Sequence, residues 1–212
     1  MSLAKASLRD QPLEVGMTMF TPRQLKRLYD EGENISQLMR REAGSTQNSE
    51  HIIEASYDLQ AGSYVAKLDD PAIARNKLGY SLELASRIRS LLHPTSILEA
   101  GVGEATTLSG VVKSLGLSNI HSYGFDLSWS RIRHAIQWLQ QQGVIDSTLC
   151  TGSLLDIPFA DDSVDIVYTS HSIEPNGGKE EPILRELYRV TRDYLILLEP
   201  GYELASNEAK RW

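Results

Sequence analysis

The sequence predicts a doubly wound, mostly parallel α/β sheet preceded by an all-helical segment, and three observations predict it. From Ser96 onward, short apolar runs alternate with amphipathic stretches. Before that point every apolar pattern repeats at three- and four-residue spacing, the period of a helix. Between the two lies His93-Pro94-Thr95, a break that neither pattern crosses.

In order along the chain, residues 1 to about 20 lack periodicity and read as an arm. Thr21-Pro22 reads as an N-cap with proline in the first turn, ahead of Leu25, Leu28 and Tyr29. Gly32 ends that helix, and Asn34 caps a second through Ile35, Leu38 and Met39. The polar stretch from Gly44 to Ser49 makes a loop before a helix from about Glu50 to Leu68, on which Tyr57, Ala61 and Tyr64 share a face. Pro71 opens a longer helix to about Leu92, with Leu84, Ile88, Leu91 and Leu92 at core spacing. Strands follow at 96–100, 120–126, 147–152, 164–170 and 194–199. The helices between them carry Leu108, Val111, Val112 and Leu115, then Ile132, Ile136 and Leu139, then Ile183, Leu187 and Val190. Repeated β-α units with helices on both sides make a parallel, doubly wound sheet. The expected division is an arm and helical cap over residues 1–93 and an α/β domain over 94–212.

Composition narrows the function classes. The chain has 212 residues, 41% of them apolar, which suffices for a real core and excludes a disordered or collagen-like chain. One cysteine cannot form an intrachain disulfide or a multi-thiolate zinc site, and the five scattered histidines show no metal-ligand spacing. No apolar run approaches the roughly 20 residues of a membrane span, so a soluble cytoplasmic protein with no membrane partner is the expectation. A net charge of −7 argues against non-specific nucleic-acid binding.

In such sheets ligands sit at the carboxyl ends of the strands. The first strand ends Glu99-Ala-Gly101-Val-Gly103-Glu-Ala-Thr106. Gly101 and Gly103 allow a tight turn and close approach of a ligand. A dinucleotide site would want a glycine at 106 and no acid beside its pyrophosphate; this chain has Thr106 and Glu99. Glu99 instead favours a ligand with a cationic end, such as the amino acid part of S-adenosylmethionine. The second strand ends at Asp126, placed to accept hydrogen bonds from both hydroxyls of a ribose or to cap the next helix together with Ser128.

Four strings in order now become specific: Ile97 to Gly103, Tyr123 to Asp126, Gly152 to Phe159 with Asp162 to Val167, and Leu197 to Pro200. Over about residues 95 to 200 the chain resembles the class I S-adenosylmethionine-dependent methyltransferases. The resemblance implies a Rossmann-like sheet of order 3-2-1-4-5. It implies that Glu99 with Gly101 and Gly103 holds the methionine part, that Asp126 holds the ribose and that Leu127 flanks the adenine. The family often has an acid after the glycine ending the third strand; here Ser153 stands there, so the Ser153 hydroxyl or the Leu154 backbone takes that role. Ala105 replaces the family's third glycine, and Ser170, at the end of the fourth strand, joins the cofactor-binding set. Tyr57 and Tyr64 resemble the lid aromatics of small-molecule members, which close over the sulfonium; the same spacing also suits simple packing. His171 is the candidate catalytic base or acceptor contact, or else a residue that orders its loop. Glu174 and Asn176 orient His171, touch the acceptor or form a turn.

The segment after the fourth strand lacks the Asn/Asp-Pro-Pro-aromatic signature of amino-group methyltransferases, which with the acidic charge points to a small-molecule acceptor. The rival readings are an NAD-dependent oxidoreductase and a non-catalytic methyltransferase-like binding module. The family sheet ends in a hairpin after its fifth strand, and residues 201–212, with Leu204, Ala205 and Ala209, read instead as the start of a helix. An uncovered fifth strand leaves an apolar edge, so the expectation is either a piece of a longer protein or a homodimer whose second copy covers that edge.

Overall fold

The computed structural model describes residues 20–117 and 119–201. The arm over 1–19 and the expected helix start beyond 201 lie outside the described residues.

Three capped helices begin the described residues. Helix α1 (Pro22–Asp30) has a capping box in which the Thr21 hydroxyl accepts from the Gln24 amide and the Gln24 side chain accepts from the Thr21 amide. Asn34 caps α2 (Ile35–Glu42) and Ser49 caps α3 (Glu50–Gln60) through the same kind of bond. Leu25, Ile35, Met39 and Ile52 form a small core of their own between these helices. The expected continuous helix from Glu50 to Leu68 is interrupted. Gly62 takes φ +94, and the chain restarts as α4 (Ser63–Ala66) and a 3-10 turn (Lys67–Asp69). Asp70 then caps α5 (Pro71–Leu91) by accepting from the Ala72 and Ile73 amides.

The sheet is fully parallel, in the order β3-β2-β1-β4-β5. Its strands are β1 (Ser96–Ala100), β2 (His121–Asp126), β3 (Ser147–Thr151), β4 (Val164–Ser170) and β5 (Thr191–Leu198). The connecting helices are α6 (Thr106–Leu115), α7 (Trp129–Gln141) and α8 (Glu180–Val190). Alternation along the strands sends Ile97, Ile166 and Tyr168 to one face and Leu98, Val167 and Ala100 to the other. The first face is covered by α5, α6 and α7 through Leu84, Ile88, Leu108, Val111 and Ile132. The second is covered by α8 through Ile183, Leu187 and Val190, with Ile157 from the loop after β3. Helix α5 therefore belongs to the layer under the sheet even though it precedes the His93-Pro94 break.

Two details differ from the sequence expectation. Leu91 and Ile136, assigned to core faces, are 41% and 38% exposed, because each lies at the margin of its helix's buried stripe. Strand β5 starts at Thr191, not Tyr194: α8 runs into it without a loop, and Arg192 and Asp193 read as polar because they sit exposed on the outermost strand. Cys150 is half-buried in β3 and packs against the second core. Among the described residues no helix is long and apolar enough to cross a membrane, and no cluster of three His, Cys, Asp or Glu could hold a metal ion.

Candidate functional site

A cavity of about 330 Å³ opens above the carboxyl ends of β1, β2 and β4, roofed by α3 and α4. Of the eleven residues singled out in the sequence, Tyr57, Tyr64, Glu99, Gly101, Gly103, Asp126, Leu127, Leu154, Ser170 and His171 line it. Ser153 is not on that wall. Its hydroxyl donates to Glu50, which itself lines the cavity, and accepts from the Leu155 amide.

The loop after β1 is shaped by positive backbone angles. Gly101 has φ +74, and a β-carbon there would stand 2.3 Å from the Ser172 Cβ. Ala105 holds φ +57 without being glycine, a strained position for a side chain and the one where the sequence pattern calls for glycine. From β2, Asp126 clamps this loop: its Oδ2 accepts from the Gly103 amide at 2.9 Å and its Oδ1 from the Ser128 amide at 2.9 Å. The cap of α7 is Ser128, whose hydroxyl accepts from the Arg131 amide. Asp126 therefore does not cap directly, and a carboxylate with about four acceptor positions keeps two of them for a ligand. Burial raises its pKa, opposed by the Ser128 and Gly103 amides and by Arg131.

Glu99 is 2% exposed and points to the helix-covered face, where the Tyr168 hydroxyl donates to its Oε2 at 3.1 Å. Burial pushes its pKa up to about 8, against the pull of Lys77 and the Tyr168 bond. Lys77, from α5, is lowered by burial and held up by Glu99; both line the cavity, and among the described residues no ion pair joins them. A buried carboxyl favours its protonated form, so in the free protein Glu99 contributes stability that is complete below its ordinary value of 4.5 and is lost as pH rises toward 8. Glu99→Gln should remove that part of the pH dependence. Thermal melts of both proteins between pH 5 and 8 should converge at the acid end and separate at the basic end, with the variant the more stable there.

Three further residues complete the roof. Glu104, 2% exposed, accepts from the Gly62 amide at 2.9 Å and the Val65 amide at 2.7 Å, which fixes the α3–α4 break above the glycine loop. Asp58, next to Tyr57, accepts from the Ser128 hydroxyl at 2.5 Å and ties α3 to the cap of α7. Arg131 lies between the two tyrosine rings, its Cζ 4.0 Å from the Tyr57 centroid and 4.5 Å from that of Tyr64. One face of each tyrosine ring thus lies against a guanidinium. Burial pushes the Tyr57 hydroxyl up to about 12. The signal for Arg131 was local but faint: an arginine in the first turn of a helix opposes the positive end of the helix dipole.

Beyond β4, His171 has φ +57 and its ring stacks on Tyr80 at 6.0 Å between centroids. Its amide donates to the Leu198 carbonyl. Glu174 and Asn176 form a 3-10 turn on the same wall, and the Asn176 side chain donates to the Ser172 carbonyl, so neither orients the His171 ring. The donor set suits S-adenosylmethionine: a buried carboxylate with free acceptor positions for a ribose, a second for an ammonium group, and a glycine loop between them.

The methyltransferase domain family matches residues 97–194. Among solved structures, an S-adenosylmethionine-dependent methyltransferase from Aquifex aeolicus shares 22% identity over 68% of this chain and 76% of its own, with a TM-score of 0.55. A candidate O-methyltransferase from Nostoc punctiforme shares 15% over 74% of this chain and 45% of its own, with a TM-score of 0.56. A candidate methyltransferase from Bacillus halodurans shares 18% over 60% and 53%, with a TM-score of 0.50. The chain thus spans about half the length of the last two. At these identities the likeness is one of fold, and it is the doubly wound order seen above. Residues 97–194 of this chain match the methyltransferase domain family, and they carry the doubly wound fold of these S-adenosylmethionine-dependent neighbours.

Proposed function

We propose that the protein transfers a methyl group from S-adenosylmethionine directly to a small-molecule acceptor, with His171 at the acceptor side. The observation that carries this reading is the continuity of one cavity. The same wall that holds Glu99, Gly101, Gly103 and Asp126 runs on to Ser170, His171, Glu174, Pro175 and Asn176. When bound, S-adenosylmethionine supplies a methyl group made electrophilic by its positive sulfur. The residues of this chain then have three tasks: to bind, to align and to exclude water. Glu99 would take the ammonium group, Asp126 the two ribose hydroxyls, Leu127 a face of the adenine, and the Leu154 backbone or the Ser153 hydroxyl its amino group.

His171 supports a role in proton transfer because an imidazole nitrogen can take up and pass on a proton, and the residue stands at the cavity on a strained backbone, a cost that sites of chemistry often carry. The wall beside His171 mixes Pro175 with Glu174 and Asn176. Such a wall suits a compact organic molecule with polar groups, and its carboxylate repels a phosphate backbone. His171→Ala should lower turnover about 100-fold or more while leaving the affinity for S-adenosylhomocysteine within about twofold. Methyl transfer from labelled cofactor into an extract of small molecules, with calorimetry in parallel, checks both halves. Equal turnover would return His171 to the ordering of its loop.

A further inference from the structure

A second cavity, of about 370 Å³, lies where α6 runs between α5 and α7. That volume falls at the lower end of the range of small-molecule sites, roughly 300–1,000 Å³. Its depth follows from the sequence of α6. Leu108, Val111 and Leu115 turn that helix toward the sheet, which leaves Thr106, Gly110 and Lys113 on the opposite stripe. Gly110 also lets α5 come close, since a β-carbon there would stand 2.4 Å from the Ser81 Oγ. Small residues on the middle helix leave a trough, walled by Leu78 from α5, Trp138 from α7 and Leu68 from the 3-10 turn before α5. Its hydroxyls are already engaged. Ser81 donates to the Lys77 carbonyl, Ser109 donates to the Thr106 carbonyl, and Ser109 accepts from the Trp138 indole N–H at 2.9 Å. The indole therefore offers a ligand only apolar contact, as does Leu78, which is 54% exposed.

The charge on this wall is opposite to that of the chain. The net charge is −7, yet Lys77 and Lys113 line the cavity and no acidic residue among the described ones does. Among the described residues neither lysine makes an ion pair. Lys113 donates to the neutral Gln142 side chain at 3.0 Å, and the Lys77 ammonium lies 5.5 Å from the Tyr80 ring centroid. The carboxylate whose field reaches Lys77 is Glu99, on the wall of the cofactor cavity. Two unpaired cations on an otherwise apolar wall favour an anion with an apolar body.

We propose that this cavity binds a small aromatic anion, a flat ring system bearing one negative group, with its charge taken by Lys77 and Lys113 and its rings lying against Leu78 and Trp138. The site shares only Lys77 and Thr106 with the cofactor cavity, and it does not rest on the methyl-donor reading.

Fluorescence titrations with 8-anilinonaphthalene-1-sulfonate and with N-phenyl-1-naphthylamine, the same rings without the sulfonate, test it. The wild-type protein should bind the sulfonate at one saturable site, about tenfold more tightly than the neutral compound. Lys113→Gln should weaken sulfonate binding about three- to fivefold and leave the neutral compound within about twofold; Lys113→Arg should restore the wild-type affinity. Leu78→Glu, which sets a carboxylate on the wall, should weaken sulfonate binding by about tenfold or more. Both positions lie on helix surface, so all three variants should melt within about 2 °C of the wild type. Sulfonate binding that is absent from the wild type, that is no tighter than that of the neutral compound, or that is unchanged in either Lys113→Gln or Leu78→Glu overturns the inference.

Discussion

Asp126→Ala should abolish measurable binding of S-adenosylhomocysteine, a loss of at least about 100-fold. Two effects combine. The ribose loses a buried carboxylate, and hydrogen bonds to charged groups are worth roughly 1.5–3 kcal/mol each. The cavity also loses its clamp, because the Gly103 and Ser128 amides are left without their acceptor. Leaving two buried donors unsatisfied costs about 2–4 kcal/mol of folding stability. Asp126→Asn tells the effects apart: it keeps one acceptor oxygen for the two amides, so it should recover about half of the stability and little of the affinity. Chemical denaturation and calorimetry on both variants check this. Affinity unchanged in either variant would remove the ribose assignment.

Gly101→Ala should destabilise the protein by about 2–4 kcal/mol, which for a chain of this size lowers the melting temperature by roughly 5–12 °C. The φ of +74 strains any residue with a β-carbon, and that carbon would stand 2.3 Å from the Ser172 Cβ. Ser172 has little room to retreat. Its hydroxyl donates to the Ala100 carbonyl at 2.8 Å, and its amide donates to Glu199 at 3.1 Å. Movement there also shifts His171, so turnover should fall with stability. Gly79→Ala is the matched control: Gly79 sits inside α5 with nothing within 4 Å of its missing β-carbon, and the change should stabilise by about 0.5–1 kcal/mol. A melting temperature for Gly101→Ala equal to that of the wild type would mean that the loop after β1 is not held as described.

The sheet was legible because its signals are local. Ser96–Ala100 and Val164–Ser170 are apolar runs bounded by breakers, and both strands occur where the pattern puts them. Glu99, Asp126 and the glycine pair, which residue type alone singles out, do line one cavity. Elements fixed by distant partners were not legible. Nothing around Gly62 says that the helix must stop there; its amide is taken by Glu104, forty-two residues away. The placement of Arg131 depends on two tyrosines from another part of the chain. Ser153 was drawn toward the adenine by family pattern, while its hydroxyl is engaged by Glu50.

The most direct test of the whole account is a calorimetric titration of the wild-type protein with S-adenosylhomocysteine and, separately, with NADH. Saturable 1:1 binding of S-adenosylhomocysteine, with no heat from NADH, is the predicted result. Binding of NADH without binding of S-adenosylhomocysteine would contradict it.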